Sequence, residues 1–430
     1  MGEEKFEVMI VGAGLAGCTA AYVLAKAGVE VVVVERGPFS GSKNMTGGRL
    51  YGHSLERVIP NFAESAPLER RITKERLSFL TAQSATTMEF SSSQLGDRPC
   101  ASYSVLRGQF DQWLAEQAEA EGAMFVNDIR VDSLIVRDGK VCGIVAGEDE
   151  MEADAVLLAD GAVSLLGQSI GMVKPLDPNK MAVSAKEVIE IGEQEVSRRF
   201  GCEKGEGVAW LLDGFCTDEH IGGGFLYTNK DSVSLGIVTT IGDIDHNDTS
   251  VPDMLHRLEL HPTVAPLIEG GTLKEYTGRM ILEGGLAGVP ELVRDGVLIL
   301  GDAAGFGINI GYCVRGMDLA IESGRLAAEA VLEARDRSDF SKASLSVYET
   351  KLKNSFIMKD MEAYRAFPEF MESTRRMFSD YPSMLEEIML GMFRIDGSSP
   401  EKLSKKAMRA VKGIGLMNVA KDVRRGLKAL

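Results

Sequence analysis

Residues that hold metals or form disulfides are few in this sequence, and they are scattered. The six cysteines form no Cys-x-x-Cys pair, so neither an iron-sulfur cluster run nor a disulfide framework is visible. The five histidines show none of the spacings that bind zinc. The sequence therefore predicts no metal site, and it predicts thiols that are buried or incidental.

Long apolar runs and a basic leader are also missing. No stretch reaches the ~18 uninterrupted apolar residues that a membrane-spanning helix needs. The N-terminal residues MGEEKFE are acidic where a secretory signal is basic. We expect a cytoplasmic protein that does not cross a membrane. With 430 residues, of which 45% are hydrophobic, the chain can bury more than one core.

Positive charge is scarce except at the C-terminus. The formal net charge of −16 argues against nucleic acid as the main partner. In residues 402–430 nine Lys and Arg stand against Asp422 alone, so this basic tail carries +8 and the remainder −24. Its Leu, Met and Val recur at helical spacing, which predicts an interfacial helix or a docking surface for acidic partners. A solvated basic face is the alternative.

The first 35 residues predict a βαβ unit. An apolar run at 6–11 is followed by a glycine turn, an Ala- and Leu-rich stretch at 16–26 and a β-branched run at 29–34. Because the last run is too apolar for an exposed strand, we expect two parallel strands joined by a helix.

The motif GAGLAG at residues 12–17 fits Gly-x-Gly-x-x-Gly between that strand and that helix. In this pattern the first glycine makes the turn, the second lets a pyrophosphate approach the backbone and the third allows close helix packing. Glu35, 18 positions beyond the motif, is placed to accept hydrogen bonds from a ribose. The motif alone does not separate NAD from FAD. The residues assigned to the turn are Gly12, Ala13, Gly14, Ala16 and Gly17.

Later segments predict the rest of the fold. Residues 105–121 predict a helix, and residues 131–159 predict an antiparallel meander that covers one face of the first sheet. Strand-like stretches between about 175 and 280 predict a second antiparallel sheet. A strand, a glycine-rich loop and a long helix follow at 296–334, and we expect only helices after about residue 345.

Two segments resemble the second and third signatures of the glutathione-reductase-type flavoproteins, in their hydroxylase-like branch. They are LLADGA at 157–162 and LILGDAAG at 298–305. The resemblance implies FAD as the cofactor, with Asp302 at its ribityl chain. Arg107 resembles the Arg that begins a helix in this branch and contacts the cofactor. The other positions that the resemblance places at the cofactor are Arg36, Gly47, Gly48, Arg49, Asp160, Gly161 and Gly301.

The glycine-rich run at 305–316 lets backbone lie against a flat ring system. We expect the N-terminus of the helix after it to stabilise an anionic reduced flavin.

Two further segments resemble the FixC family, the prokaryotic relatives of electron-transfer flavoprotein:quinone oxidoreductase. They are SKNMTGGRLY at 42–51 and GFGINIGYCVRGMDLA at 305–320, and the second adds Gly311 and Tyr312 to the predicted cofactor site. The mitochondrial enzymes end in an iron-sulfur domain with clustered cysteines, whereas no cysteine follows Cys313 here. This departure matches the FixC arrangement, in which a separate ferredoxin-like protein carries the cluster.

The resemblance implies an electron relay through FAD with no catalytic side chain. The donor is a two-subunit electron-transfer flavoprotein (ETF), with the ferredoxin-like iron-sulfur protein as a further partner, and the acceptor is a membrane quinone. In some such complexes ETF bifurcates electrons from NADH. Peripheral contact with the inner face of the cell membrane follows from this function. A Met-rich stretch at 384–393 is a candidate for the quinone entrance, and packed core is its alternative.

The predicted fold class is α/β, with an α+β second domain. It combines a glutathione-reductase-type FAD-binding βαβ fold, an antiparallel-sheet substrate domain and a helical C-terminal region. The predicted FAD-binding domain comprises residues 1–80, 100–172 and 278–345; the quinone or substrate domain comprises 81–99 and 173–277; and the helical region with the basic tail comprises 346–430. Three alternative functions remain open: a geranylgeranyl-reductase-like prenyl reductase, an FAD-dependent hydroxylase, and a scaffold in which FAD is only structural.

Overall fold

The computed structural model describes residues 5–44, 48–245, 249–397, 399 and 401–430. Its strands are β1 (Lys5–Val11), β2 (Val31–Val34), β3 (Gly48–Tyr51), β4 (Leu68–Leu80), β5 (Ala85–Ser91), β6 (Ser102–Val105), β7 (Met124–Val126), β8 (Ser133–Arg137), β9 (Lys140–Ala146), β10 (Asp149–Leu158), β11 (Met181–Glu190), β12 (Glu206–Gly214), β13 (Gly222–Thr228), β14 (Ser232–Thr240), β15 (Thr272–Leu282), β16 (Val293–Arg294), β17 (Val297–Ile299), β18 (Ile308–Asn309) and β19 (Val314–Arg315).

The α-helices follow the same chain order. They are α1 (Leu15–Lys26), α2 (His53–Val58), α3 (Arg107–Ala120), α4 (Leu165–Ser169), α5 (Glu193–Phe200), α6 (Val251–Glu259), α7 (Ala265–Ile268), α8 (Met317–Asp336), α9 (Lys342–Leu345), α10 (Val347–Asn354), α11 (Phe356–Ala363), α12 (Phe367–Ser373), α13 (Asp380–Phe393), α14 (Leu403–Ile414) and α15 (Leu416–Ala429). The predictions of α1, of α3 and of a helical C-terminal region are confirmed for the described residues.

The first sheet has parallel strands at its centre. Its order is β16, β17, β10, β1, β2 and β7, and β1 pairs in parallel with both β10 and β2. On its other side β10 pairs in parallel with β17. The strands β8 and β9 form the predicted hairpin, and β9 pairs with the first residues of β10. The third strand of the predicted meander, β10, is therefore also a strand of the parallel sheet. The parallel pairing of β1 with β2 around α1 confirms the predicted βαβ unit.

The second sheet runs in the order β15, β11, β14, β13, β12, β4, β6 and β3, with β5 paired to β4. The hairpin of β13 and β14 turns at residues 229–231, as predicted. Within the described residues, the one parallel pair of this sheet is β4 with β12, which joins residues 71–80 to 206–214. No local pattern relates segments this far apart. The domain boundaries stay a prediction, and β4 lies in the second sheet although it precedes residue 81.

The helices α1 and α8 pack against each other beside the first sheet. A Cβ added at Gly324 of α8 would lie 2.3 Å from the carbonyl oxygen of Ala16 in α1. The two backbones therefore touch at this point, and buried alanines such as Ala20 and Ala327 continue the close contact. This packing fixes where both helices begin, and both begin at the same cavity.

We searched the described helices for one able to span a bilayer, and none is both long and apolar enough.

The contact between α1 and α8 can be tested with Gly324→Val. The added side chain meets backbone that cannot move aside, so we expect the free energy of unfolding in denaturant to fall by about 3 kcal/mol. The control is Gly413→Ala in α14, where a Cβ meets nothing within 4 Å. That change should stabilise the protein by about 0.5–1 kcal/mol. An unchanged unfolding midpoint for Gly324→Val would contradict the close contact.

Candidate functional site

A cavity of about 1150 Å³ lies between the two sheets. It exceeds the roughly 300–1,000 Å³ typical of small-ligand sites. One end is lined by the glycine turn after β1, the middle by Arg107 and Asp302, and the far end by strands of the second sheet. We call the part of the lining that comes from the second sheet and from residues after 356 the far half.

Three predicted motifs meet at one edge of the first sheet. Because β1, β10 and β17 are neighbours and parallel, their carboxyl ends lie side by side. The residues that follow these ends are Gly12, Asp160 and Asp302, and all three line the cavity. Residues nearly 300 positions apart in sequence therefore face one space.

The glycine turn has the geometry that its pattern predicts. Gly12 has a φ of +101°, and a Cβ there would lie 2.4 Å from the carbonyl oxygen of Ala159. A Cβ at Gly17 would lie 2.0 Å from the carbonyl oxygen of Gly12, so this glycine allows the helix to pack on the turn. At Gly14 the nearest atom is 3.9 Å away, on Asn44. The space above Gly14 is thus open to a ligand.

The N-terminus of α1 points at this open space. Its N-cap, Gly14, offers no side-chain cap, and the first turn contains no acid. The first N–H groups of the helix and its positive dipole end are therefore available to an anion. This arrangement fits a pyrophosphate.

Glu35 is held beside the turn by backbone. Its Oε2 accepts a hydrogen bond of 2.9 Å from the N–H of Ala13, and its Oε1 accepts one of 2.7 Å from the N–H of Gly37. The carboxylate also lines the cavity, where its remaining lone pairs can accept hydrogen bonds from ribose hydroxyls. Arg36 is exposed at the rim of the same end.

Charged side chains surround the middle of the cavity. Arg107 donates two hydrogen bonds of 2.7 Å to Asp111, and Arg279 donates one of 3.0 Å to Asn44. Asp302 faces the cavity with protein on its other sides, so burial raises its pKa and the charges of Arg107 and Arg279 lower it in part. A chain of hydroxyl groups fits between these donors and acceptors.

Asp160 is occupied by its own turn. Its carboxylate accepts hydrogen bonds from the hydroxyl of Ser164 at 3.1 Å and from the N–H of Leu166 at 3.3 Å, and burial raises its pKa. Gly161 beside it has a φ of +85° and lines the cavity. Asp160 shapes this turn, and its contact with a cofactor stays a prediction.

The glycine-rich run before α8 forms the hairpin of β18 and β19. Gly311, with a φ of +76°, lies in the turn of the hairpin and lines the cavity. Gly316 and Met317, at the start of α8, line the cavity as well. The acid in the first turn of this helix, Asp318, is neutralised by Arg315, whose Nη2 lies 2.6 Å from it. The expected helix N-terminus therefore does reach the cavity.

The structure brings together most of the predicted cofactor positions, but not all. The cavity lining includes Gly12, Gly14, Ala16, Glu35, Arg36, Gly48, Arg49, Arg107, Asp160, Gly161, Asp302 and Gly311. Ala13, Gly17 and Gly301 lie outside the lining. The N–H of Ala13 bonds to Glu35, a Cβ at Gly17 would meet the carbonyl oxygen of Gly12, and the N–H of Gly301 bonds to Ser323 of α8. Tyr312 is 48% exposed and outside the lining, and Gly47 lies outside the described residues. Their roles at the cofactor stay predictions.

The sequence analysis did not identify several of the lining residues. Arg279 lies on β15, Asp213 lies on β12, and Glu283 directly follows β15. None belongs to a motif, and only their position in the sheet brings them to the cavity. Asn44 lies in the segment that resembles FixC, which was the available signal for it. In the described part of the chain no group of His, Cys, Asp and Glu is arranged to hold a metal.

Comparison with known proteins identifies the family. The ETF-QO/FixC family C-terminal domain matches residues 367–430, and an FAD binding domain matches residues 5–192. The probable electron transfer flavoprotein-quinone oxidoreductase YdiS of Escherichia coli K12 is 51% identical over 430 residues, which is 100% of each chain. The chain belongs to the ETF-QO/FixC family. Protein FixC of Azorhizobium caulinodans is 35% identical over 414 residues, covering 95% of this chain and 94% of that protein.

Solved structures share the fold. A geranylgeranyl bacteriochlorophyll reductase-like protein from Thermoplasma acidophilum superposes with a TM-score of 0.72 at 21% identity, covering 98% of this chain and 99% of that one. A variant of the halogenase PltM in complex with FAD gives 0.63 at 14% identity, covering 90% and 80%. At these identities the likeness concerns the fold alone.

FAD is the cofactor of this ETF-QO/FixC family member, and the protein is an FAD-dependent oxidoreductase. The observed cradle fits FAD: an open glycine turn at an uncapped helix for the pyrophosphate, Glu35 for the ribose, and a polar middle for the ribityl chain. When bound, FAD supplies the electron-transfer chemistry. The side chains of the chain bind and orient it.

The assignment of the pyrophosphate to the open turn can be tested with Gly14→Val. The added side chain meets no protein atom closer than 3.9 Å at its Cβ, so the apoprotein should unfold at the wild-type denaturant concentration. Because valine fills the ligand space, FAD affinity in a fluorescence titration should fall about 100-fold, or about 2.7 kcal/mol. Gly413→Ala serves as the control. Wild-type FAD affinity in Gly14→Val would refute the assignment.

Proposed function

We propose that this FixC family member passes electrons through FAD from a two-subunit ETF to a membrane quinone. A ferredoxin-like iron-sulfur protein is the further partner, and an electron-bifurcating complex is the setting in which ETF divides the electrons of NADH. One observation carries the proposal. The lining of the cavity extends from the glycine turn and the charged Arg107 and Asp302 to apolar side chains of the second sheet and of helices α11 and α12.

The far half of the cavity has the composition that a quinone requires. Its walls are mostly apolar or aromatic, and they come from the second sheet and from the helices after residue 356. The residues are Val183, Leu211, Phe225, Ile281, Met361, Phe367 and Met371. A quinone head group and its isoprenoid chain bury well against such walls. The Met-rich stretch at 384–393 does not line the described cavity, so the prediction of a quinone entrance there is not supported.

The basic tail has the properties of a membrane contact. It forms α14 and α15, in which Leu416, Met417 and Leu427 are 50%, 86% and 77% exposed. Exposed cations such as Lys421 and Lys428 lie on the same helices. Apolar side chains flanked by Lys and Arg bind the interface of an anionic membrane. We place the quinone-facing side of the protein on the inner face of the cell membrane through this tail.

An adjacent element enlarges this surface. Helix α13 packs against α14 through Lys406, whose Nζ donates a 2.7 Å hydrogen bond to the carbonyl of Gly391. At the end of α13, Leu390, Met392 and Phe393 are 53%, 44% and 73% exposed. Contiguous exposed apolar side chains of this kind mark an interaction site.

The proposed relay can be tested by the source of electrons. In stopped-flow measurements, the absorbance of FAD bound to the purified protein should be bleached rapidly by the reduced ETF partner, and slowly by NADH alone. Reoxidation should then follow addition of a short-chain ubiquinone. Fast direct reduction by NADPH with oxygen consumption would instead support a hydroxylase.

The membrane contact can be tested with the double variant Lys421→Gln and Lys428→Gln. Each cation near an anionic surface contributes about 1 kcal/mol. We expect roughly 30-fold weaker co-sedimentation with phosphatidylglycerol vesicles, and the wild-type protein should release at high salt. The matched control removes two exposed lysines elsewhere, Lys174→Gln and Lys204→Gln. Equal loss in both double variants would show that net charge, and not the tail, governs binding.

A further inference from the structure

Asp213 is an unusual residue in the far half of the cavity. It lies near the end of β12, lines the cavity, and is enclosed by protein on its other sides. A Cβ added at Gly223 of the neighbouring strand would lie 3.0 Å from its Oδ1, so a larger residue there would crowd the carboxyl group. In the described part of the chain, no hydrogen bond or ion pair holds this side chain.

An enclosed carboxyl group without a partner costs free energy, and native proteins pair most such groups. Burial alone raises the pKa of Asp213 to about 7. The group is therefore protonated below neutral pH and loses its proton above it. Such a side chain can donate a proton at the pH of the cytoplasm.

The surroundings explain why Asp213 carries its proton. Tyr227, Glu283, Tyr364 and Glu372 line the same half, and Cys216 lies in the turn after β12. The cations of the lining, among them Arg49 and Arg279, do not lower the pKa of Asp213, for which burial is the cause. His220, before β13, is paired with Asp243, their side chains 3.5 Å apart.

A second carboxyl group in this half provides a contrast. Glu283 follows β15, and its Oε2 accepts a 3.1 Å hydrogen bond from the hydroxyl of Thr240. Asn309 of the glycine-rich loop hydrogen-bonds to it as well. Glu283 therefore connects the loop to the second sheet through hydrogen bonds, whereas Asp213 lines the cavity and makes no such connection.

We propose that Asp213 is the proton donor to the quinone. This inference rests on the proposed function. A quinone that becomes a quinol gains two electrons and two protons, one on each carbonyl oxygen. Bound FAD in its anionic reduced form would supply both electrons and one proton, so the second proton would come from the protein. Asp213 gives its proton to one carbonyl oxygen, remains as a carboxylate, and regains a proton from water before the next turnover.

The experiment compares two acceptors that differ in their need for protons. The holoprotein is reduced and then mixed in a stopped-flow instrument with either a short-chain ubiquinone or ferricenium, which accepts one electron and no proton. In Asp213→Asn we expect reoxidation by the quinone to slow about 100-fold, because general acid catalysis contributes about that much. Reoxidation by ferricenium should keep the wild-type rate, and quinone affinity should not change.

The pH profile and two control variants separate this role from a structural one. The wild-type rate with quinone should fall as pH rises through about 7, and the profile should be flat in Asp213→Asn. Glu283→Gln should keep the wild-type pH dependence, and the exposed Asp149→Asn should match the wild type throughout. As a readout independent of turnover, infrared spectra of the wild-type protein should lose a protonated-carboxyl band through the same pH range, and this band should be missing from the spectra of Asp213→Asn.

Several results would overturn the inference. They are wild-type quinone rates in Asp213→Asn, an equal loss with both acceptors, loss of pH dependence in Glu283→Gln alone, and absence of the carboxyl band. Should Asp213→Asn fail to fold, the wild-type pH profile and the infrared titration still decide. A wild-type protein that ferricenium oxidises but quinone does not would contradict the proposed function itself.

Discussion

Parallel pairing of β10 with β1 and β17 is the constraint on which the site depends. Parallel neighbours end at the same edge of a sheet, so the residues after each strand face one space whatever their distance in sequence. The pyrophosphate turn, the turn at Asp160 and the carboxyl group of Asp302 meet there for this reason. A slip of register in β10 would separate them, although each segment kept its local structure.

Close helix packing adds the electrostatics of the site. The helices α1 and α8 touch backbone to backbone at Gly324 and both begin at an uncapped glycine on the cavity. Their positive ends therefore both face the cavity, where they favour negative charge on a ligand. Small residues in these helices allow the close contact that orients them, and they also allow the core to pack densely.

The second sheet supplies the opposite wall and changes its character. The lining that it contributes mixes apolar side chains such as Phe225 and Ile281 with the charged Arg279 and Glu283. Asp213 lies in the same wall, where burial raises its pKa to about 7.

The sequence by itself determined the βαβ start, the glycine turn, the helix at Arg107 and the helical C-terminal region, because each depends on patterns of a few neighbouring residues. The motifs also named twelve residues of the cavity lining. Only the tertiary structure decided that β4 pairs in parallel with β12, that Arg279 reaches Asn44, and that Asp213 lacks a partner. These facts concern residues far apart in the chain, and their contacts arise from the packing of two sheets, which no local pattern encodes.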